Sequence, residues 1–392
     1  MANPHVLFLF DVDGVLVNPR GYKQALYASL NYFADRMGQP AQNLTYEEIA
    51  RFEASGLTNE WESLAMCVSL LLTSVLNEKP DLTRNTFALT LDPVRRGGVE
   101  VPRPDYTKLA AEVKQLNPEG LRPSHTVRDL MLKRTPKIAH ALLHELLDDV
   151  YSIETPTTRI FQHYTLGSER FEDTYNRSSD IKVASQLLLN DIPHIQSGVL
   201  EEFLSRDFDV AIYSARPSLP PNDLATSERE ALDSALYPPE GDLAAGLLGV
   251  IDAVPLIAGG RIAWLAAEYK RDITEFMKPA PVQALAAIGA ALSAQEKSAL
   301  EAAVTFFDEG ELVWPLDQLK DQHTHVIVFE DSVGGIRAVQ KAVTMLREAG
   351  IQIDVEAVGV AVEPSKREAL EPVADRIIEE INLALSPFLN QT

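Results

Sequence analysis

The sequence predicts an α/β protein in which a parallel sheet flanked by helices is interrupted by a long, mostly helical insertion. Three observations carry that reading. Short unbroken apolar runs rich in β-formers recur at residues 6–10, 209–213, 326–329 and 357–362, the pattern of strands buried on both faces. Apolar residues at helical spacing fill the gap between the first run and the second. The length of 392 residues allows two to three units at roughly 150 residues each, with ample capacity for a buried core.

Taken in order, the first run ends abruptly at Asp11-Val12-Asp13-Gly14, as a buried strand reaching its loop would. Residues 21–195 read as mostly helical: Tyr22, Leu26, Leu30, Phe33 and Met37 recur at steps of four and three. Residues 61–76 form a strongly apolar helix candidate. Ile138, Leu142, Leu143, Leu146, Leu147 and Val150 mark another on one face. Between them, residues 77–123 carry Pro80, Pro93, Pro102, Pro104, Pro118 and Pro123, which predicts a long irregular excursion. Residues 214–241, with Pro217, Pro220, Pro221, Pro238 and Pro239, predict a mobile surface loop. The most membrane-like stretch, residues 243–267, is broken by Asp252, Pro255, Gly259, Gly260 and Arg261, well short of the roughly 20 apolar residues of a span, and reads as buried strand and helix. Helices are expected from Pro279 to Leu292 and after Ser332, where Ile336, Val339, Val343 and Leu346 form a stripe ending at Gly350. One or two more are expected across residues 364–389.

Composition narrows the partners. With 57 acidic and 35 basic residues the net charge is −22, and a sequence pI near 4.8 argues against nucleic acid and anionic membranes over most of the surface. An anionic substrate then needs local positive charge or a cation. The single cysteine, Cys67, permits no internal disulfide and no thiolate zinc site, which fits a reducing cytoplasm. The N-terminus lacks a basic region and meets acidic residues early, so no export is expected.

Asp11 and Asp13, two residues apart at a strand end and followed by Gly14, project to the same side of the extended backbone. The carboxyl ends of parallel strands are where open α/β sheets bind ligands. A turn with a capping carboxylate would use the same residues. DVDGVLV at residues 11–17 resembles the first motif of the haloacid-dehalogenase-like phosphohydrolases. Three further features resemble that superfamily's motifs in its order: Ser214 after the strand run DVAIY, Lys278 before Pro279, and Glu330-Asp331 after VIVF with a Ser-x-x-Gly-Ile tail. Singly, these residues read as a turn serine, a solvated lysine and a helix cap; their joint order carries the resemblance.

The resemblance implies a Rossmann-like catalytic core at residues 1–19 and 196–392, with an inserted helical cap at 20–195 that sets substrate choice. It further implies a phosphatase of small phosphorylated metabolites, similar to the phosphoglycolate phosphatase branch. A carboxylate remains ionised at neutral pH and so suits a nucleophile, which assigns Asp11. Asp13 is then the general acid and base, and its presence argues against carbon–halogen cleavage. A dianionic phosphate among carboxylates requires a cation, and an all-oxygen site suits Mg²⁺. Its expected ligands are Asp11, Asp331 and the main chain of Asp13, with Glu330 direct or through water. Lys278 offsets charge on nucleophile and phosphoryl group. Ser214 and backbone N–H groups around Val12, Asp13 and Ala215 hold phosphate oxygens. Arg216 reaches a second anionic group of the substrate or lies in solvent. In the GLTNEW loop, Thr58 or Asn59 caps the following helix, or Asn59 or Trp61 contacts substrate. His163 and Tyr164 are structural or face the cleft. The Glu-Asp-Ser-x-x-Gly-Ile form also resembles β-phosphoglucomutase, so a sugar-phosphate mutase and a non-catalytic binding protein of the same fold stand as alternatives.

Overall fold

The computed structural model describes residues 4–117, 121–206 and 208–389. The chain divides into two compact units, residues 1–19 with 191–392 and residues 20–190. The first is built on strands β1 (His5–Phe10), β2 (Val17–Asn18), β3 (Ile192–Pro193), β4 (Asp209–Tyr213), β5 (Leu256–Ile257), β6 (Thr324–Glu330), β7 (Ile353–Val360) and β8 (Arg376–Ile378). Six of them form one sheet in the order β5-β4-β1-β6-β7-β8, and every pairing in it is parallel.

The uninterrupted apolar runs follow from coverage of both faces. Successive strand residues point to opposite sides, and both sides of this sheet are covered by helices. Leu7, Leu9, Ala211, Val326 and Val328 pack in one cluster with the helices Pro281–Ser293, Glu296–Glu309 and Val333–Glu348. Phe8, Phe10, Ile212, Ile327 and Phe329 pack in the other with Phe203, Leu385 and Phe388. There Phe8 meets Phe203 edge-on at 4.9 Å, and Phe10 stacks on Phe329 at 5.1 Å. Each fully buried phenylalanine stabilises the core by about 1.5–3 kcal/mol. Asp11, Asp331 and Ser214 directly follow β1, β6 and β4, so the carboxyl ends of three neighbouring interior strands receive all three.

The second unit is helical. Its helix Glu60–Glu78 is buried on most of its circumference, from Leu64 through Leu76, and Arg20–Arg36 lays the expected stripe Tyr22, Leu26, Leu30 and Phe33 into the interior. In the stripe at 138–150, Leu142, Leu143, Leu146, Leu147 and Val150 are buried but Ile138 is 64% exposed: it sits in a separate 3₁₀ turn, Lys137–Ala139, ahead of the helix His140–Leu147.

Several expectations are corrected. The excursion at 77–123 contains the helices Phe87–Gly97 and Tyr106–Leu116, while its residues 118–120 lie outside the described residues. Thr86 and Asp105 cap the two helices with their side chains, signals that the surrounding prolines masked. The segment 214–241 is anchored: Ser218, Leu224 and Tyr237 are buried, and Arg261 donates to the Leu219 carbonyl at 2.9 Å. Residues 364–389 include strand β8 besides two helices. Next to the end of the second unit at Asn190, β3 pairs antiparallel with β2 and the His194 N–H donates to the Leu16 carbonyl at 2.8 Å. Among the described residues no helix is long and apolar enough to cross a membrane.

Candidate active site

Beyond β1 the backbone curls tightly: Leu16 and Val17 N–H groups both return to the Val12 carbonyl, and the Gly14 N–H donates to the Val17 carbonyl at 2.8 Å. Gly14 has φ +76°, and a Cβ there would lie 2.3 Å from Asp331 Oδ2, so only glycine lets this loop meet β6. Asp11 is buried, and its Oδ1 accepts from the Val12 N–H at 2.8 Å. Lys278 places Nζ 3.1 Å from Asp11 Oδ1 and 2.6 Å from Glu330 Oε1. The same ammonium lies 4.7 Å from the centre of the Tyr213 ring, and the Tyr213 hydroxyl donates to Glu330 Oε1 at 3.3 Å.

Glu330 is held from its other side. Oε2 accepts from both the N–H and the hydroxyl of Ser332 at 2.8 Å, and Ser332 in turn caps the helix Val333–Glu348 through the Gly335 N–H. The Ser-x-x-Gly element therefore fixes a carboxylate as well as a helix start. Asp331 contacts Lys366, whose Nζ lies 2.5 Å from Oδ2.

Ligand oxygens of Asp11, Glu330 and Asp331 lie within 4.8 Å of one another. Burial, then Glu330, pushes the Asp11 carboxyl well above its ordinary range against the opposing pull of Lys278. Burial likewise raises Asp331 to about 6, with Lys366 opposing. Burial disfavours the Lys278 ammonium, but Asp11 and Glu330 outweigh it and hold the lysine above its usual value. Three close carboxylates face two ammonium groups, Lys278 enclosed and Lys366 half-exposed, which leaves more carboxylate than ammonium charge on oxygen donors alone. That donor set fits a hard divalent cation such as Mg²⁺.

Not every expected site residue joins this cluster. Ser214 stands at the end of β4, fully buried, with its hydroxyl accepting from the Arg216 N–H at 3.2 Å and its carbonyl accepting from Gln283 at 2.8 Å. Ala215, next to it, is exposed. The Asp13 carboxylate stands apart from the metal-competent group. It takes Arg216 Nε at 2.9 and 3.0 Å and Nη2 at 2.5 Å. Arg216 is neither solvated nor open to a second substrate anion. Its side chain is 1% exposed and bridges Asp13 to Asp191, at 2.9 Å from the latter. The reason is electrostatic: two carboxylates enclose a guanidinium whose fork matches them.

The candidates in the helical unit have structural tasks. Asn59 caps the helix Glu60–Glu78 by accepting from the Glu62 N–H at 2.9 Å, and donates to the Tyr151 hydroxyl at 2.9 Å. Its side chain thereby caps the helix and joins it to Tyr151. Trp61 packs between Tyr22 and Phe161 at 5.9 and 5.1 Å. His163 is buried between the Arg159 carbonyl and the Asp180 N–H, and Tyr164 is half-buried. Sequence reasoning missed Tyr213, Asp191 and Lys366. Tyr213 was visible as the residue before Ser214; nothing local distinguished the other two.

No protein-family model and no curated protein matches the chain. A crystal structure solved as a target of the Northeast Structural Genomics Consortium is similar to it over 98% of this chain and 99% of that one, with 14% identity and a TM-score of 0.62. At that identity the likeness concerns the fold, an α/β protein with a parallel sheet flanked by helices.

Proposed function

We propose that the protein is a Mg²⁺-dependent phosphohydrolase of the haloacid-dehalogenase-like superfamily, with the unit 20–190 as its helical cap and a small phosphorylated metabolite as substrate. The observation that carries the reading is the convergence of Asp11, Lys278, Glu330 and Asp331, from distant parts of the chain, at the carboxyl ends of adjacent parallel strands.

Asp11, Glu330 and Asp331 would hold the ion, which when bound supplies positive charge to phosphoryl oxygens and to the Asp11 carboxylate. An oxygen of Asp11 attacks phosphorus, the ester P–O bond breaks, and the leaving alkoxide takes a proton from Asp13, whose carboxylate must first take that proton from solvent and loosen its pair with Arg216. In the second half Asp13 removes a proton from water as water attacks the aspartyl phosphate, which returns Asp11 and inorganic phosphate. Lys278 stays fixed between Asp11 and Glu330 and neutralises charge gathering on the transferred group. Arg216, anchored by Asp191, orients Asp13 in its ionised form, the form that takes the proton from water in the second half.

The test is p-nitrophenyl phosphate turnover followed by a metabolite panel, with and without Mg²⁺. Wild type is expected to release phosphate only with the cation, and Asp11→Asn to release none. Turnover that survives chelation or the Asp11 substitution would refute the assignment.

A further inference from the structure

Lys366 is the cation that no part of the proposed chemistry uses. It rises from the helix Pro364–Leu370, beyond the carboxyl end of β7, and reaches across to Asp331 at the end of the neighbouring β6. Its Nζ lies 2.5 Å from Asp331 Oδ2, with the lysine side chain 46% exposed and the aspartate 15% exposed. Oδ2 is also the oxygen that approaches Gly14, since a Cβ there would come within 2.3 Å of it. It therefore faces the loop that begins at Asp11. Lys278 is committed to Asp11 and Glu330, and Asp331 has a separate ammonium as its partner.

We propose that Lys366 is a tethered counter-ion that competes with the divalent cation for the carboxylate of Asp331. The inference rests on the metal reading above. An ion held by Asp11 and Asp331 would draw on the same carboxylate that pairs with the Lys366 ammonium, so ion and ammonium would compete for its charge. A half-exposed, four-carbon side chain can give way at small cost, because an ion pair open to water is weak. The site then binds its cation less tightly than its carboxylates alone would, and releases it more readily.

Isothermal titration of the full-length, chelator-stripped protein with Mg²⁺ tests this without reference to turnover. Lys366→Met is expected to tighten the dissociation constant about threefold to tenfold, the size of a partly screened charge contact. Lys366→Arg, which keeps the charge, should stay near wild type. Lys341→Met, which removes an exposed lysine whose ammonium donates to the Pro279 carbonyl, should also leave the constant unchanged and so controls for net charge. Equal or weaker Mg²⁺ binding by Lys366→Met, with wild type still binding, would overturn the competition alone. Failure of wild type and Lys366→Met alike to bind Mg²⁺ would overturn the metal site and the competition together.

Discussion

Glu330 can reach Lys278 because Gly335 has no side chain. A Cβ at Gly335 would lie 1.5 Å from Glu330 Oε1, the oxygen that meets the ammonium at 2.6 Å. Gly335→Ala must therefore expel that carboxylate and leave Lys278 with Asp11 alone. Turnover is expected to fall about hundredfold, the scale of losing one preorganised electrostatic contact. Gly334→Ala is the matched control, since its nearest neighbour would be Pro279 at 3.9 Å. Steady-state kinetics on both variants, with circular dichroism to confirm the fold, checks this. His163 carries a different kind of prediction. Its Nε2 accepts from the Asp180 N–H, so the proton sits on Nδ1, which donates to the Arg159 carbonyl at 2.7 Å. Burial depresses its pKa below 6.5, and the unfolded chain then binds more protons in that range than the folded one. The linked stability is complete above about 6.5 and is lost as pH falls through it, down to the folded-state pKa. Thermal midpoints from pH 8 to 5 should drop less in His163→Gln than in wild type.

Among elements, the segment after β4 shows how a proline-rich stretch becomes fixed. Arg261 in the helix Gly259–Tyr269 pairs with Asp242 at 2.8 Å and Glu296 at 3.1 Å, all three nearly inaccessible. Glu296 also accepts from the Asn222 and Leu256 N–H groups, and Asp242 from the Leu219 N–H. The network ties three helices to the segment and to β5. Arg261→Met would leave two buried carboxylates without their cation, a loss of about 3–5 kcal/mol, seen as a lower midpoint in urea or heat. None of this is legible locally, because prolines and glycines announce turns while the anchoring arginine comes from elsewhere in the chain. The helix Phe87–Gly97 was hidden for a related reason. Pro93 lies inside it and has no N–H to give to the carbonyl of Leu89, four residues earlier in the same helix. Pro93→Ala restores that hydrogen bond and is expected to stabilise the protein by about 1 kcal/mol. A lower midpoint would mean that the proline's rigidity outweighs the bond it removes.

For the whole molecule, what was legible depended on whether a residue's neighbours in space are also its neighbours in sequence. The sheet strands announced themselves because burial on two faces leaves an unbroken apolar run. Asp11 and the Glu330-Asp331 pair are legible because they close such runs, and Lys278 because a proline marks its helix start; Ser214 also follows a run, yet its hydroxyl is buried against the Arg216 N–H, outside the acidic cluster. The partners Lys366, Asp191 and Tyr213 act through contacts across the chain, and Arg216 was placed in solvent or on substrate because its two carboxylates lie far away in sequence. The net charge of −22 raises a last question at this scale, since any cation relieves self-repulsion in so acidic a chain. A specific site must stabilise beyond that general effect. Mg²⁺ at about 100 times its dissociation constant adds about 2.7 kcal/mol to the folded state, which NaCl at matched ionic strength does not. The thermal midpoint is therefore expected to rise by several degrees with Mg²⁺ over matched NaCl in wild type. Asp331→Asn should lose that difference while keeping the common response to salt. An equal Mg²⁺ increment in both proteins would locate the stabilisation in the acidic surface rather than at Asp331.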